Sequence, residues 1–226
     1  LDNNDRCSNL DFSQTLFITE WTADEKMPIR TDCFYIIHNL KIPEVNHVSP
    51  RINRYQMLIE QGRCINLRVF GNTTPHDAVK ANDCTHYSFS NETIYMAWAT
   101  DLLPYEIDEI KTKMPFKKNK VVHYVGTFIK QIEPFKKSCN ENGIRFISQH
   151  HKSMDEGRAL VQESFMAPAI VTDLQQEIDY LPCRIFKNIS YGQMGITTSK
   201  AEYELFKGKI VYNKDANQLF YYAFEK

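Results

Sequence analysis

The second half of the chain alternates short apolar runs with amphipathic segments. Val121–Val125 is a β-branched run, and Ile132, Phe135 and Cys139 then recur at the spacing of one helix face. Gly143 follows at the position where a left-handed residue commonly ends a helix. This pattern predicts a strand, a connection and a helix in succession.

The same alternation continues to the last residue. Ser153 with Glu156 and Ser199 with Glu202 have the spacing of capping boxes, so each pair predicts the start of a helix. Strands that alternate with helices through short connections are typical of βαβ units and a parallel sheet. The further predicted strands are residues 144–147, 165–171, 194–197 and 209–212, and the last predicted helix is residues 215–226.

The first half of the chain has a less regular pattern. Its predicted strands are residues 15–19, 33–37, 65–70 and 93–99, with a helix over residues 54–61 before Gly62. A polar, lysine-rich stretch at residues 111–120 separates the two patterns. We therefore expect an N-terminal α/β domain at residues 1–115 and a second one at residues 116–226.

The predicted fold class is α/β, with two Rossmann-like domains that face a cleft and have parallel sheets flanked by helices. Ligands of such sheets bind beyond the carboxyl ends of the strands. The positions to inspect are therefore residues 126–127, 149–151, 172–173 and 197–199.

Composition narrows the range of partners. The 226 residues include 27 Lys and Arg and 28 Asp and Glu, a net charge of -1, so no overall positive field favours nucleic acid. No apolar stretch approaches the roughly 20 residues that span a bilayer, and no signal peptide is visible.

Cys33, Cys139 and Cys183 lie in apolar or helical contexts and are expected to be buried thiols. We expect a cytoplasmic protein without a membrane span.

The segment Leu181–Gly192, "LPCRIFKNISYG", predicts a short helix with an unusual charge distribution. Arg184, Lys187, Asn188 and Tyr191 fall on one helix face, and Ile185, Phe186 and Ile189 fall on the opposite face, which is expected to be buried. A cation at a helix N-terminus opposes the macrodipole, whereas an anion held between the helix amides and Arg184 would be favourable. The alternative is a surface cation on a solvated turn.

The run "CRIFKNISYG" followed by "GITTS" resembles the donor-site segment of glycosyltransferases of the GT-B fold, with the exostosin-like and fucosyltransferase-like families closest in pattern. The resemblance covers the C-terminal half only. It implies that Arg184 contacts the donor diphosphate and that Gly192 matches the family's glycine. "HYVGT" resembles the first strand and turn of the same domain, which implies that Gly126 and Thr127 lie near the donor. The sequence also resembles glycosyltransferases encoded by large DNA viruses, which implies the cytoplasm of a host cell.

The resemblance implies a hexosyl- or pentosyltransferase that moves a sugar from a nucleotide-diphosphate donor to a glycan acceptor. It implies no metal and no separate cofactor, because Arg184 and helix amides can stabilise the leaving diphosphate. Many relatives carry a ribose-binding carboxylate where this chain has Lys187, which supports the alternative of a catalytically inactive carbohydrate- or nucleotide-binding domain. The candidate donor-binding residues are Gly126, Thr127, His150, Arg184, Lys187, Asn188, Tyr191, Gly192, Thr197 and Ser199.

An inverting transferase needs a general base for the acceptor hydroxyl, expected on a loop of the first domain. The candidates are Glu20, Asp24, His38 and Asp101, each of which also has a structural interpretation. A retaining mechanism needs no such base and stays open, as does the oligomeric state. Another Rossmann-type enzyme, such as an epimerase or kinase, is disfavoured because neither GxGxxG nor a P-loop is present.

Overall fold

A computed structural model describes residues 11–20, 29–38, 57–68, 85–88, 93–96, 98–113, 119–177 and 179–226. The chain separates into two compact units, Leu1–Ala97 and Trp98–Lys226. The predicted boundary after residue 115 lies later than this division. The difference arises because Leu102 packs with Val161, Ala167 and Tyr191, all of which belong to the second unit.

The described residues of the first unit form a five-stranded sheet. Its order is β1-β2-β3-β5-β4, in which β4 alone pairs antiparallel and the other described pairs are parallel. The predicted strands correspond to β1, β2, β3 and β5, whereas no strand was predicted at β4. The strands are β1 Leu16–Glu20, β2 Phe34–His38, β3 Cys64–Arg68, β4 Thr85–Ser88 and β5 Thr93–Met96.

One face of this sheet carries the core of the first unit. Phe17, Tyr35 and Ile37 alternate with exposed positions and pack with Leu58, which lies in a helical segment at residues 57–60. Gly62 follows with φ +66°, the left-handed conformation expected of a residue after a helix.

The described residues of the second unit form five short strands, all in parallel pairs: β6 with β7, and β8 with β9 with β10. Helices flank these strands, which confirms the α/β class with parallel sheets. The strands are β6 Val121–Val125, β7 Arg145–Gln149, β8 Pro168–Ala169, β9 Ile196–Thr197 and β10 Val211–Tyr212. The helices are α1 Pro104–Lys113, α2 Glu133–Glu141, α3 Met154–Glu163, α4 Asp173–Glu177, α5 Cys183–Ser190, α6 Lys200–Leu205 and α7 Ala216–Phe224.

The two edges of β6 face different parts of the chain. On one edge, Gly126 N–H donates to Gln149 O beyond the pairing with β7. On the other edge, Phe165 N–H donates to Val121 O at 2.7 Å, so the segment that leads into β8 starts beside β6. Strand β6 therefore lies between β7 on one side and the segment that leads into β8 on the other, so the direction in which successive strands are added reverses at β6. This reversal is where ligands bind in open parallel sheets.

Of the two capping boxes that the sequence predicts at helix starts, one is confirmed in full and the other in part. Ser153 and Glu156 form a reciprocal capping box at α3. At α6, Ser199 Oγ accepts from Glu202 N–H, but the Glu202 carboxyl contacts Thr197 instead of returning to the Ser199 backbone. The second predicted capping box is thus only half formed. Helix α1 has no buried side chain, and its apolar pattern is weak.

Candidate functional site

A cavity of about 210 Å³ opens in the second unit between α3 and α5, at the carboxyl end of β6. The strand contributes Val125, α3 contributes the wall on one side, and α5 contributes the wall on the other. Its lining residues are Val125, Lys152, Ser153, Met154, Gly157, Arg158, Val161, Cys183, Arg184, Lys187, Asn188 and Tyr191.

Positive charge is concentrated in this cavity. Four of the lining residues are basic, and no Asp or Glu occurs among the described lining. The whole chain has 27 basic and 28 acidic residues, so this excess is a local property. We call Lys152, Arg158, Arg184 and Lys187 the open cluster. Such an arrangement favours an anionic ligand, above all one with several oxygens.

Arg184 is held in place by contacts within the fold. Its Nη1 donates to Val125 O, on the edge of β6 that faces away from β7. Its guanidinium carbon lies 4.1 Å from the centre of the Tyr124 ring, a cation–π contact. Within the described part of the chain, Nε and Nη2 make no hydrogen bond. The guanidinium is therefore oriented in advance and keeps donors for a ligand.

Gly126 is needed for this position of Arg184. Its φ is +118°, which disfavours an L side chain, and a Cβ atom there would lie 2.7 Å from Arg184 Nη2. Gly157 has a related role in α3, because it is buried and a Cβ atom would lie 3.4 Å from Val125 Cγ1. The two glycines allow the arginine and α3 to approach the end of β6 closely.

The other members of the open cluster have few acidic partners. Lys187 lies one turn after Arg184, and its Nζ contacts Met154 Sδ at 3.8 Å. Arg158 pairs with the exposed Asp155 at 2.7 Å. Lys152 is exposed and makes no ion pair with any residue that the structure describes. The charge of the cluster is therefore largely uncompensated from within the fold.

Asn188 and Tyr191 border the cavity, but their polar groups are used inside the fold. Both are 4% exposed. Asn188 Nδ2 donates to Ala167 O at 2.8 Å, and Tyr191 Oη donates to Asp101 Oδ1 at 2.6 Å. Burial of the polar face of α5 was not expected. Of the predicted apolar anchor, Ile185 is buried, whereas Phe186 and Ile189 are only half-buried.

Asp101 belongs to the second unit, not to the first unit from which a catalytic base was expected. Its carboxyl is partly desolvated, which opposes ionisation, but the hydrogen bond from Tyr191 and the charges of Lys187 and Arg158 lower its pKa overall. Burial and the same hydrogen bond raise the pKa of the Tyr191 phenol. The pair is therefore an ionised carboxylate bound by a neutral phenol.

Thr197 and Ser199 lie outside the cavity lining and form, with Glu202, a buried group that we call the closed cluster. Thr197 Oγ1 lies within hydrogen-bonding distance of Ala169 O, Ser199 N and Glu202 Oε2. A hydroxyl has one proton and two lone pairs, so donation to Ala169 O leaves it to accept from Ser199 N–H and from a protonated Glu202. Burial raises the pKa of Glu202 to about 8, in agreement with this arrangement.

The remaining predicted residues are not part of the cavity lining. Thr127 and His150 are exposed just after β6 and β7. Gly192 follows α5 with φ +93° and accommodates the turn that leaves the helix. Glu20 and His38 end β1 and β2, but their side chains lie outside the described parts, as does the whole of Asp24.

Sequence reasoning missed Lys152 and Arg158. Met154, Arg158 and Val161 recur at helical spacing after the predicted capping box, and this periodicity could have identified one face of α3 as a cavity wall. Cys183 was expected to be buried, and this was wrong, because its thiol is exposed at the start of α5. Cys33 and Cys139 are buried free thiols, and Cys64 is buried as well.

Within the described ranges, no group of three or more His, Cys, Asp or Glu side chains is placed to hold a metal ion. Among the helices of those ranges, none has the length and apolar character needed to cross a membrane. Comparison with known proteins found no family model, no curated protein and no solved structure with significant similarity to the chain.

Proposed function

We propose that this chain is a glycosyltransferase that uses a nucleotide-diphosphate sugar as donor and a glycan as acceptor. The observation that carries the proposal is the open cluster, in which four basic side chains and no carboxylate of the described lining meet at the carboxyl end of a parallel strand. A diphosphate is the type of anion that such a site recognises. The resemblance of the α5 segment to GT-B donor sites supports the choice of a sugar nucleotide.

The chemistry follows from where negative charge develops. When the bond between sugar and diphosphate breaks, charge accumulates on the diphosphate oxygens, and fixed donors near them stabilise the transition state. Arg184 and Lys187 would supply this stabilisation, with Arg184 held by Val125 and Tyr124. The proposal requires no metal ion for this step. It also assigns acceptor binding to the first α/β unit, in a GT-B arrangement.

The proposal keeps Glu20, Asp24 and His38 as candidates for the base of an inverting reaction. Asp101 is a weaker candidate, because Tyr191 binds one of its oxygens and its lowered pKa reduces its basicity. The buried free thiols of Cys33 and Cys139 support a reducing compartment such as the cytoplasm.

A second candidate function is a binding domain without catalysis. It is favoured by the absence of a carboxylate from the described cavity lining and by Lys187 at the position where many relatives bind ribose through an acid. Such a domain would bind the same nucleotide but would not cleave the sugar.

Calorimetric titration with a panel of nucleotide sugars and nucleoside diphosphates tests the proposal, followed by an assay of nucleotide release with and without glycan acceptors. We expect binding of at least one donor and acceptor-dependent release, both weakened in Arg184→Ala but not in Lys214→Ala, an exposed lysine outside the cavity. Binding without release would favour the second candidate. No binding by the folded wild-type chain would reject both.

A further inference from the structure

A second cavity, of about 480 Å³, opens at the amino end of β10, between the turn after α6 and the end of α7. Its volume lies within the roughly 300–1,000 Å³ that is typical of small-molecule sites. Gly208 and Ile210, which precede β10, line it, whereas the open cluster lies at the carboxyl end of β6. The described linings of the two cavities share no residue, so a ligand of the open cluster does not account for the second cavity.

Three tyrosines give this cavity its character, and we call it the tyrosine cavity. Tyr203 of α6 and Tyr212 of β10 stack, with ring centroids 5.3 Å apart and ring planes 28° apart. Tyr222 of α7 also lines the cavity and is 51% exposed. Tyrosine offers a large, rigid contact area at a small cost in conformational entropy. The tyrosine cavity thus presents ring surface and phenol groups to a ligand.

The backbone around the stacked rings sets their positions. Val211 N–H donates to Gly195 O at 2.8 Å, which holds β10 against β9. Gly208 N–H donates to Tyr203 O at 3.0 Å, and a φ of +73° at Gly208 brings the turn against the Tyr203 ring. A Cβ atom at Gly208 would lie 3.2 Å from Tyr203 Oη, so glycine permits this close approach. The stacked pair is therefore oriented before any ligand binds.

The charges of the tyrosine cavity cancel, unlike those of the open cluster. Glu225 and Lys226 are the charged residues of its described lining, and they have opposite signs. A phosphate would meet the carboxylate of Glu225 without an excess of positive charge to offset the repulsion. A carboxylate accepts hydrogen bonds, an ammonium donates them and a phenol does both. The lining therefore favours a ligand that is neutral and rich in hydroxyl groups.

A carbohydrate combines these features. Its hydroxyl groups donate and accept hydrogen bonds, and the faces of its ring present C–H groups with a partial positive charge. Such groups are attracted to the negative face of an aromatic ring. An apolar peptide would suit Ile210 and Val211 but would make no use of Glu225 and Lys226.

We propose that the tyrosine cavity is a carbohydrate-binding site, distinct from the open cluster, that holds a neutral glycan against its tyrosine rings. The proposal goes beyond the proposed function and does not depend on it, because a glycan can bind here whether or not the open cluster binds a sugar nucleotide. In a glycosyltransferase, this site would retain a long glycan acceptor and raise its effective concentration.

Binding of the wild-type chain to an array of neutral oligosaccharides tests the proposal, and each hit is then titrated by saturation-transfer NMR. We expect at least one neutral glycan to bind, with the ring C–H protons of the sugar receiving the most saturation. Tyr222→Ala should weaken this glycan roughly tenfold, because it removes an exposed ring, whereas Tyr222→Phe keeps the ring and should change the affinity about twofold or less. Tyr105→Ala is the matched control, since it removes an exposed tyrosine of α1 outside the cavity and should leave the affinity unchanged.

Three results would overturn the proposal. Displacement of the glycan by pyrophosphate would place it in the open cluster. Equal losses of affinity in Tyr222→Ala and Tyr105→Ala, with both variants folded, would place it elsewhere on the surface. A folded wild-type chain that binds no glycan of the array would show that the cavity has another occupant. Binding of pyrophosphate alone, measured in parallel, tests the open cluster separately, so the failure of one proposal is distinguishable from the failure of the other.

Discussion

The second unit holds two polar clusters of opposite character. In the closed cluster, Thr197, Ser199 and Glu202 are 0–2% exposed, and one hydroxyl connects a backbone carbonyl, a backbone N–H and a carboxyl group. In the open cluster, Arg184 donates to Val125 O and Lys187 Nζ contacts Met154 Sδ, and both keep donors without an acidic partner in the described lining. Both follow strands of the same unit.

Structural and functional polar groups differ in whether the fold itself satisfies their hydrogen bonds. A polar group that satisfies its hydrogen bonds inside the fold stabilises that fold, and its loss leaves buried partners unsatisfied. A cation without an acidic partner remains available for a ligand, even where, like Arg184, it also contributes a hydrogen bond and a cation–π contact to the fold. Mutations in the closed cluster should therefore change stability, whereas mutations in the open cluster should change binding.

The largest expected effect is the pH dependence of stability caused by Glu202. Its folded pKa of about 8 lies above the ordinary glutamate value of 4.5, so the folded state retains a proton that the unfolded state releases. The stabilising contribution is full below pH 4.5 and is lost as pH rises through 8. Within that window wild type should lose about 1.4 kcal/mol per pH unit relative to Glu202→Gln.

Urea unfolding of both proteins from pH 4.5 to 9 measures this slope. Parallel pH profiles for wild type and Glu202→Gln would show that Glu202 is ionised in the folded state, and the closed cluster would then need a different arrangement.

Next in size is the loss of the central hydroxyl of the closed cluster. Thr197→Val keeps the shape of the side chain but removes the partner of Ser199 N–H and of Glu202. Because these groups are buried, we expect a loss of about 2–4 kcal/mol in the free energy of unfolding. Denaturant titration measures it. Thr127→Val, at an exposed threonine, is the control and should stay within about 0.5 kcal/mol of wild type.

Arg184 should have the largest effect on binding. Arg184→Ala removes a preorganised guanidinium, and we expect a loss of about 2–3 kcal/mol in pyrophosphate affinity, roughly 30- to 150-fold. Arg184→Lys should recover only part of it, because an ammonium lacks the planar fork of donors. Calorimetry at low salt measures both variants after their folding is verified. An Arg184→Lys variant with wild-type affinity would indicate that the guanidinium geometry is unimportant.

Lys187 should contribute less, because its ammonium lies on a flexible stem. Lys187→Ala should weaken pyrophosphate about fivefold and reduce the salt dependence of binding, whereas Lys214→Ala should change neither. Titrations at two salt concentrations separate the two variants. Equal effects of both substitutions would mean that the affinity for pyrophosphate depends on the net charge of the protein and not on the basic residues of the cavity.

Sequence patterns predicted the parallel α/β units and the position of Arg184, because apolar alternation and helix caps are local features. They did not predict the bond from Arg184 to Val125 O, because it joins residues 59 positions apart in the sequence. Thr197 and Ser199 were chosen because they follow a strand. Their burial depends on contacts with residues far along the chain, such as that of Thr197 with Ala169 O, which no local pattern contains. Lys152 lies in the connection before α3, and Arg158 lies on that helix. Only the folded chain brings both side chains to the wall of the same cavity, so local sequence patterns did not identify them.

The most direct test of the central claim uses the exposed thiol of Cys183, which lines the cavity. The rate at which Cys183 is alkylated, followed peptide by peptide with mass spectrometry, should fall in a saturable manner as a nucleoside diphosphate is added. The midpoint should match the calorimetric dissociation constant and shift to higher concentration in Lys187→Ala. Binding by calorimetry with an unchanged alkylation rate at Cys183 would place the ligand elsewhere and contradict the account.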